Sequence, residues 1–142
     1  MTTVLAVDLG SASGRVLAGT LREGRLEVTD IHRFKHEARR RTDGTLTWDV
    51  ATMEAETING LTKALEQFPD ARAVSIDTWG VDWVPLDEDA RLVGDVVAYR
   101  DERTSRTLPA FRERIADREF FDLTGNQPAT INTANQLFAY LR

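Results

Sequence analysis

The chain has 142 residues, 42% hydrophobic and 29% charged, which is the size of one domain and the balance of a soluble globular protein rather than a disordered one. Its formal net charge of -5 makes the surface as a whole repel a polyanion, so nucleic acid is a poor main partner. It has no cysteine, which excludes disulfides, thiol nucleophiles and thiolate metal sites.

The N-terminal stretch MTTVLAVD carries no basic leader, and its apolar run is cut at Asp8. No stretch approaches the roughly 20 apolar residues of a membrane span, so a cytoplasmic protein without a membrane partner is expected. Val4 to Val7 reads as a short core strand. Arg15 to Thr20 and Arg25 to Phe34 alternate apolar with polar around the turn Glu23-Gly24, which makes three strands in an antiparallel meander. The short, glycine-flanked connection Gly10 to Gly14 makes the first two strands a hairpin with Ser11, Ala12 and Ser13 at its tip.

His36 to Gly44, which includes Arg39-Arg40-Arg41, is polar and basic and reads as a solvated surface loop. Asp49 is placed to cap a helix that Pro69 stops, with Met53, Ile58, Leu61, Leu65 and Phe68 on one apolar face. Ala73 to Ile76 is again a strand ending on an aspartate, Asp77, and the crossover helix predicts that it returns parallel to the first. Val81 to Leu86 with the turn Asp87 to Asp89 predicts another hairpin. Thr104 to Ile115 and Asp117 to Leu123 read as helices, and Thr124-Gly125-Asn126 as a turn. The last ten residues bring Leu137, Phe138 and Leu141 to one helical face that nothing closes, so the chain is expected to be the N-terminal piece of a longer protein. No internal repeat or linker is visible.

Asp8 stands where a strand ends and a glycine turn begins. Such turns expose backbone N–H groups that bind anions, and a magnesium ion takes one or two carboxylates with phosphate oxygens. Asp8 for a metal and the small residues for a phosphate is therefore one reading; an ordinary hairpin turn is the other. The stretch is neither a P-loop nor a dinucleotide fingerprint. SIDTWGVDWV repeats the pattern of strand, aspartate and glycine, with Trp79, Trp83 and a second carboxylate, Asp82. Aromatic walls with carboxylates suit sugar hydroxyls, and the same residues also suit a core with turn-capping aspartates. Arg100, Asp101, Glu102 and Arg103 read equally as a solvated ion-pair cluster. His32 and His36 share no helix face and offer too few ligands for zinc, and no Ser/His/Asp triad can be built.

Taken together and in order, DLGSASGR, DTWGVDW, AYRDERT and TGNQPATINTANQL resemble the N-terminal part of the FGGY carbohydrate kinases, which have the α/β actin-like ATPase (ribonuclease H-like) fold, and among them the rhamnulokinases. The resemblance covers nearly the whole chain and makes residues 1–142 an incomplete first domain. It implies transfer of the ATP γ-phosphate to L-rhamnulose, giving L-rhamnulose 1-phosphate and ADP. By matching position, Ser11, Ala12, Ser13, Gly14 and Arg15 take the ATP phosphates, Asp8 the Mg2+ side of the site, and Gly80, Asp82 and Tyr99 the sugar. Relatives often carry Ala-Ser-Ser at positions 11 to 13, which leaves the backbone donors unchanged. The resemblance also places the catalytic base and the adenosine site downstream, so the fragment alone is expected to be inactive. Another FGGY ketose or polyol kinase, or a non-catalytic actin-like module that binds nucleotide or sugar, is the alternative.

Overall fold

In the computed structural model, which describes all 142 residues, the chain runs β1 (Thr2–Leu9), β2 (Ser13–Arg22), β3 (Arg25–Lys35), β4 (Arg39–Arg40), β5 (Leu46–Thr47), α1 (Val50–Gln67), β6 (Val74–Thr78), α2 (Arg103–Arg112), α3 (Asp117–Thr124) and α4 (Thr133–Tyr140). No helix is long and apolar enough to cross a membrane. Where length alone predicts one core, the elements gather into two units: Met1–Glu37 with Asp49–Gly80, and Ala38–Trp48 with Val81–Arg142.

The first unit is a four-stranded sheet in the order β3-β2-β1-β6, with α1 on one face. The predicted meander is present, and β6 pairs parallel to β1 from Leu5↔Val74 to Leu9↔Thr78. Alternate residues Leu5 and Val7 of β1 and Val16 and Ala18 of β2 are buried with Ala64 of α1, as a half-covered sheet requires. Asp49 caps α1: its side chain accepts from the Thr52 amide at 3.0 Å. Leu61 and Phe68 of the predicted apolar face pack against the core, but the contact also draws in smaller residues. Met53, Thr57, Gly60 and Ala64 are buried, whereas Ile58 and Leu65 are exposed. Small residues win because they let the helix approach closely; a Cβ at Gly60 would lie 2.5 Å from Val16 Cγ2.

The second unit departs further from expectation. Residues 36–44 are not simply a solvated loop, since β4 and β5 form a small antiparallel ladder. Val81 to Leu86 forms no strand, and the expected hairpin shrinks to one bridge, Leu86↔Leu92, around a turn held by Asp87 Oδ1 accepting from the Asp89 and Arg91 amides. Helix α3 ends as predicted on Gly125, in the left-handed conformation with φ 68°. Phe111 packs edge-on against Phe120 and Phe138, with ring centroids 6.0 and 5.4 Å apart. In helix α4 Asn135 and Gln136 are buried, while Leu137 and Leu141 of the predicted apolar face are left exposed. Gln136 Nε2 donates to the carbonyls of Val81 and Ile131, both at 2.8 Å, which pairs its buried NH2 group.

Candidate active site

The β1–β2 connection is tighter than predicted, because Ser13 and Gly14 already belong to β2 and only Gly10, Ser11 and Ala12 form the tip. The Gly10 amide closes the turn onto the Ser13 carbonyl at 2.9 Å, and the His36 amide donates to the Ala12 carbonyl at 3.3 Å. The Ser11 and Ala12 amides make no hydrogen bond within the chain, and Ala12 is exposed. Two adjacent donors at a tight turn suit an anion. Gly14 is fixed by a close approach: a Cβ there would sit 2.2 Å from the Phe34 ring, so the base of the tip rests on an aromatic of β3.

Register places Asp8 opposite Arg15 across the β1–β2 pair and beside Asp77 across the β1–β6 pair. Because Leu5 and Val7 face α1, strand alternation puts these three side chains on the other face of the sheet. Arg15 reaches Asp8 with Nε at 2.8 Å and Nη2 at 2.6 Å, both on Oδ2, and both side chains are about 40% exposed (42% and 38%). The residues predicted to serve phosphate and metal are thus bonded to each other. The pairing follows from the hairpin register: Leu9 pairs with Gly14 across the four residues Gly10 to Ser13, and one step back Asp8 lies level with Arg15. The donor set fits a Mg2+ held largely by nucleotide oxygens: it offers Asp8, whose Oδ1 lies outside the Arg15 contact, with Asp77 in the adjoining register. No group of three or more ligating side chains exists to hold a metal unaided.

In the second unit, Asp82 is bonded on both oxygens. Oδ2 accepts from Trp48 Nε1 at 2.7 Å and Oδ1 from the Tyr99 amide at 2.6 Å. Asp82 therefore fixes the backbone that presents Tyr99, whose hydroxyl accepts from Arg100 Nε at 2.7 Å with the guanidinium also over the ring. Asp101, one reading of which was part of a solvated cluster, is 5% exposed and accepts from the Leu46 and Arg103 amides at 2.7 and 2.9 Å. Burial pulls the Arg103 guanidinium down from its ordinary range, while the charges of Asp101 and Asp82 hold it up. Sequence reasoning missed Trp48, whose partner lies 34 residues away with no local pattern to announce it.

Gly80 closes the first unit's contribution. It is exposed, its φ is not positive, and a Cβ there would meet no atom within 4 Å, so nothing in the fold requires glycine at this position. Trp79 stacks on His36 with ring centroids 5.7 Å apart, and His36 in turn lies against Phe34. His32 is tied instead to α1, with Nε2 2.6 Å from Glu56 and Nδ1 3.3 Å from Lys63 Nζ. Trp83 meets Tyr140 edge-on at 5.3 Å.

Residues 3–138 match the model of the FGGY family of carbohydrate kinases, N-terminal domain. Among curated proteins, the chain is 39% identical over 137 residues to a rhamnulokinase of Klebsiella pneumoniae, covering 95% of this chain and 28% of that protein. It is 36% identical over 133 residues to one of Bacillus subtilis, covering 94% and 27%. The chain thus spans little more than a quarter of the length of these relatives. Among solved structures, a gluconate kinase from Lactobacillus acidophilus superposes with a TM-score of 0.80 at 12% identity, over 99% of this chain and 28% of that one. A xylulose-type sugar kinase from Brucella ovis gives 0.71 at 20% identity, over 95% and 28%. At such identities these structures speak for the fold alone, which is the α/β fold of the actin-like ATPases.

Proposed function

Since this chain belongs to the FGGY family of carbohydrate kinases, through its N-terminal domain, we propose that it forms one wall of an active cleft that transfers the γ-phosphate of ATP to L-rhamnulose. The product is then L-rhamnulose 1-phosphate, with ADP released. The observation that carries the choice of sugar is the identity of 36% and 39% to proteins named rhamnulokinase over at least 94% of the chain. The cytoplasm, where ATP is abundant, is the expected location.

Phosphoryl transfer is mainly positioning and charge stabilisation. In this reading the Ser11 and Ala12 amides, with Ser13 and Gly14 at the start of β2, grip phosphate oxygens. The Ser11 and Ala12 amides break no bond within the chain in doing so. Arg15 adds a fixed positive charge and Asp8 a carboxylate for Mg2+. When bound, that ion neutralises charge between the phosphates. On the acceptor side Gly80 leaves bare backbone for the sugar to approach, and Tyr99 offers a flat apolar face with a polar rim. Asp82 serves the sugar through the Tyr99 backbone it holds. A base that takes the acceptor proton lies outside these residues, so residues 1–142 alone have no kinase activity.

The test is ATP-dependent ADP release by the complete protein on a panel of L-rhamnulose, xylulose, fuculose and gluconate, with product identified by phosphorus NMR. L-rhamnulose should give the highest kcat/KM by at least tenfold. A higher value with another sugar would move the chain to a different member of the family, and phosphorylation by purified residues 1–142 would refute the assignment of the base.

A further inference from the structure

The Arg15–Asp8 ion pair joins the two residues that the proposed function assigns to different parts of the nucleotide complex, and we infer that it is a resident counter-ion arrangement that must open on loading. Arg15 applies its Nε and Nη2 edge to Asp8 Oδ2. That edge is the one a guanidinium uses to clasp an oxyanion with two parallel bonds. While it holds Asp8 it cannot hold a phosphate in the same way. The converse also applies, because a divalent cation on either oxygen of the Asp8 carboxylate would sit within a few ångströms of the guanidinium charge.

The pair is suited to exchange. Both side chains are about 40% exposed (42% and 38%), and contacts of that kind contribute little to stability, so opening it requires no rearrangement of the core. It also answers a problem in the sheet. Asp8 and Asp77 stand in register on neighbouring parallel strands, like charges side by side, and Arg15 is the cation that reaches Asp8 across the β1–β2 pair. Cation and phosphate together replace both halves of the pair at once: the carboxylate keeps a positive partner and the guanidinium gains a negative one. Either ligand alone leaves one of the two residues without its partner. The consequence is mutual dependence of nucleotide and cation binding, built into two side chains.

This inference rests on the phosphate-site reading above, and its test separates the two. In the complete protein, the weak Mn2+ binding that Asp8 supports without nucleotide is titrated at high cation concentration by electron paramagnetic resonance, and ADP binding in excess chelator by calorimetry. Arg15→Gln should tighten Mn2+ by up to about fivefold, the most an exposed ion pair can hold back, while weakening metal-free ADP. Asp8→Asn should abolish Mn2+ binding and tighten metal-free ADP by a similar factor. In the unaltered protein the Arg15 Nε–H resonance should move on adding Mg2+ alone, which keeps the question open to measurement even if a variant misfolds. Loss of affinity for both ligands in both variants, or an Arg15 signal unmoved by Mg2+, would overturn the exchange while leaving the phosphate site standing. Failure of the unaltered protein to bind either ligand would overturn both.

Discussion

In the sheet unit, Leu5, Val7, Val16, Ala18 and Ala64 close a core by apolar contact, and the buried hydroxyls of Thr3 and Thr20 bond each other at 3.0 Å. In the other unit the buried set includes Asp101, Thr104, Asn135 and Gln136, and Asp101 and Gln136 clasp the backbone of distant segments. The first is organised by packing; the second adds to its buried Val96, Ala98 and Phe120 polar side chains that bond particular amides or carbonyls. A region held by packing tolerates exchange of one apolar residue for another of like volume. A region held by buried polar bonds does not, because a single deletion leaves donors dry.

The sharpest way to break that contrast is Asp101→Ala. It strands the amides of Leu46 and Arg103, and should cost about 3 kcal/mol by equilibrium unfolding. Hydrogen exchange should show the loss in residues 38–48 and 81–142 while β1 and β2 stay protected; uniform loosening would erase the distinction. Next, Gly60→Leu forces a side chain into the space occupied by Val16 and should cost about 2 kcal/mol, with the loosening centred on α1 and β2. If it is neutral, the close approach of helix and sheet is not what sets the face of α1.

A smaller effect tests the polar tie inside the apolar unit. The hydrogen bond from His32, outweighing burial, holds the Glu56 carboxyl below its ordinary value of 4.5. A depressed carboxylate contributes stability that is present above that ordinary value and lost as pH falls through the lower folded one. Glu56→Gln should therefore flatten the acid limb of a stability profile as pH falls below the ordinary value of 4.5, leaving the most acidic points unchanged; an unaltered slope would show that the contact does not stabilise the fold. The smallest expected effect is Gly80→Ala. Because the added Cβ meets open space, stability should stay within about 0.5 kcal/mol, while KM for the sugar rises in the complete enzyme.

The same contrast explains what could be read from the residues alone. Strand alternation, the Glu23-Gly24 turn, the Asp49 cap and the parallel return of β6 follow from local periodicity, and all are present. On α1 the apolar spacing places Met53, Leu61 and Phe68 but not Ile58 and Leu65, because the close approach of helix and sheet also uses Thr57 and Gly60. In the second unit, the burial of Gln136 over Leu137 and the engagement of Asp82 by Trp48 involve partners tens of residues away, which no window of periodicity contains. The proposed phosphate tip rests on local features, a strand-end aspartate followed by a glycine turn. The tightening of the tip to three residues moved Ser13 and Gly14 into the strand without changing which face Arg15 occupies.

Strand β6 closes the sheet on one side with all five of its residues exposed, Val74 and Ile76 among them, and with Asp77 as its one charge. Natural sheets protect such a margin with lysines, prolines or a covering element. Handled as an isolated 142-residue preparation, this margin makes colloidal behaviour depend on concentration and salt. Dilute, low-salt conditions are those in which a monomer is to be found.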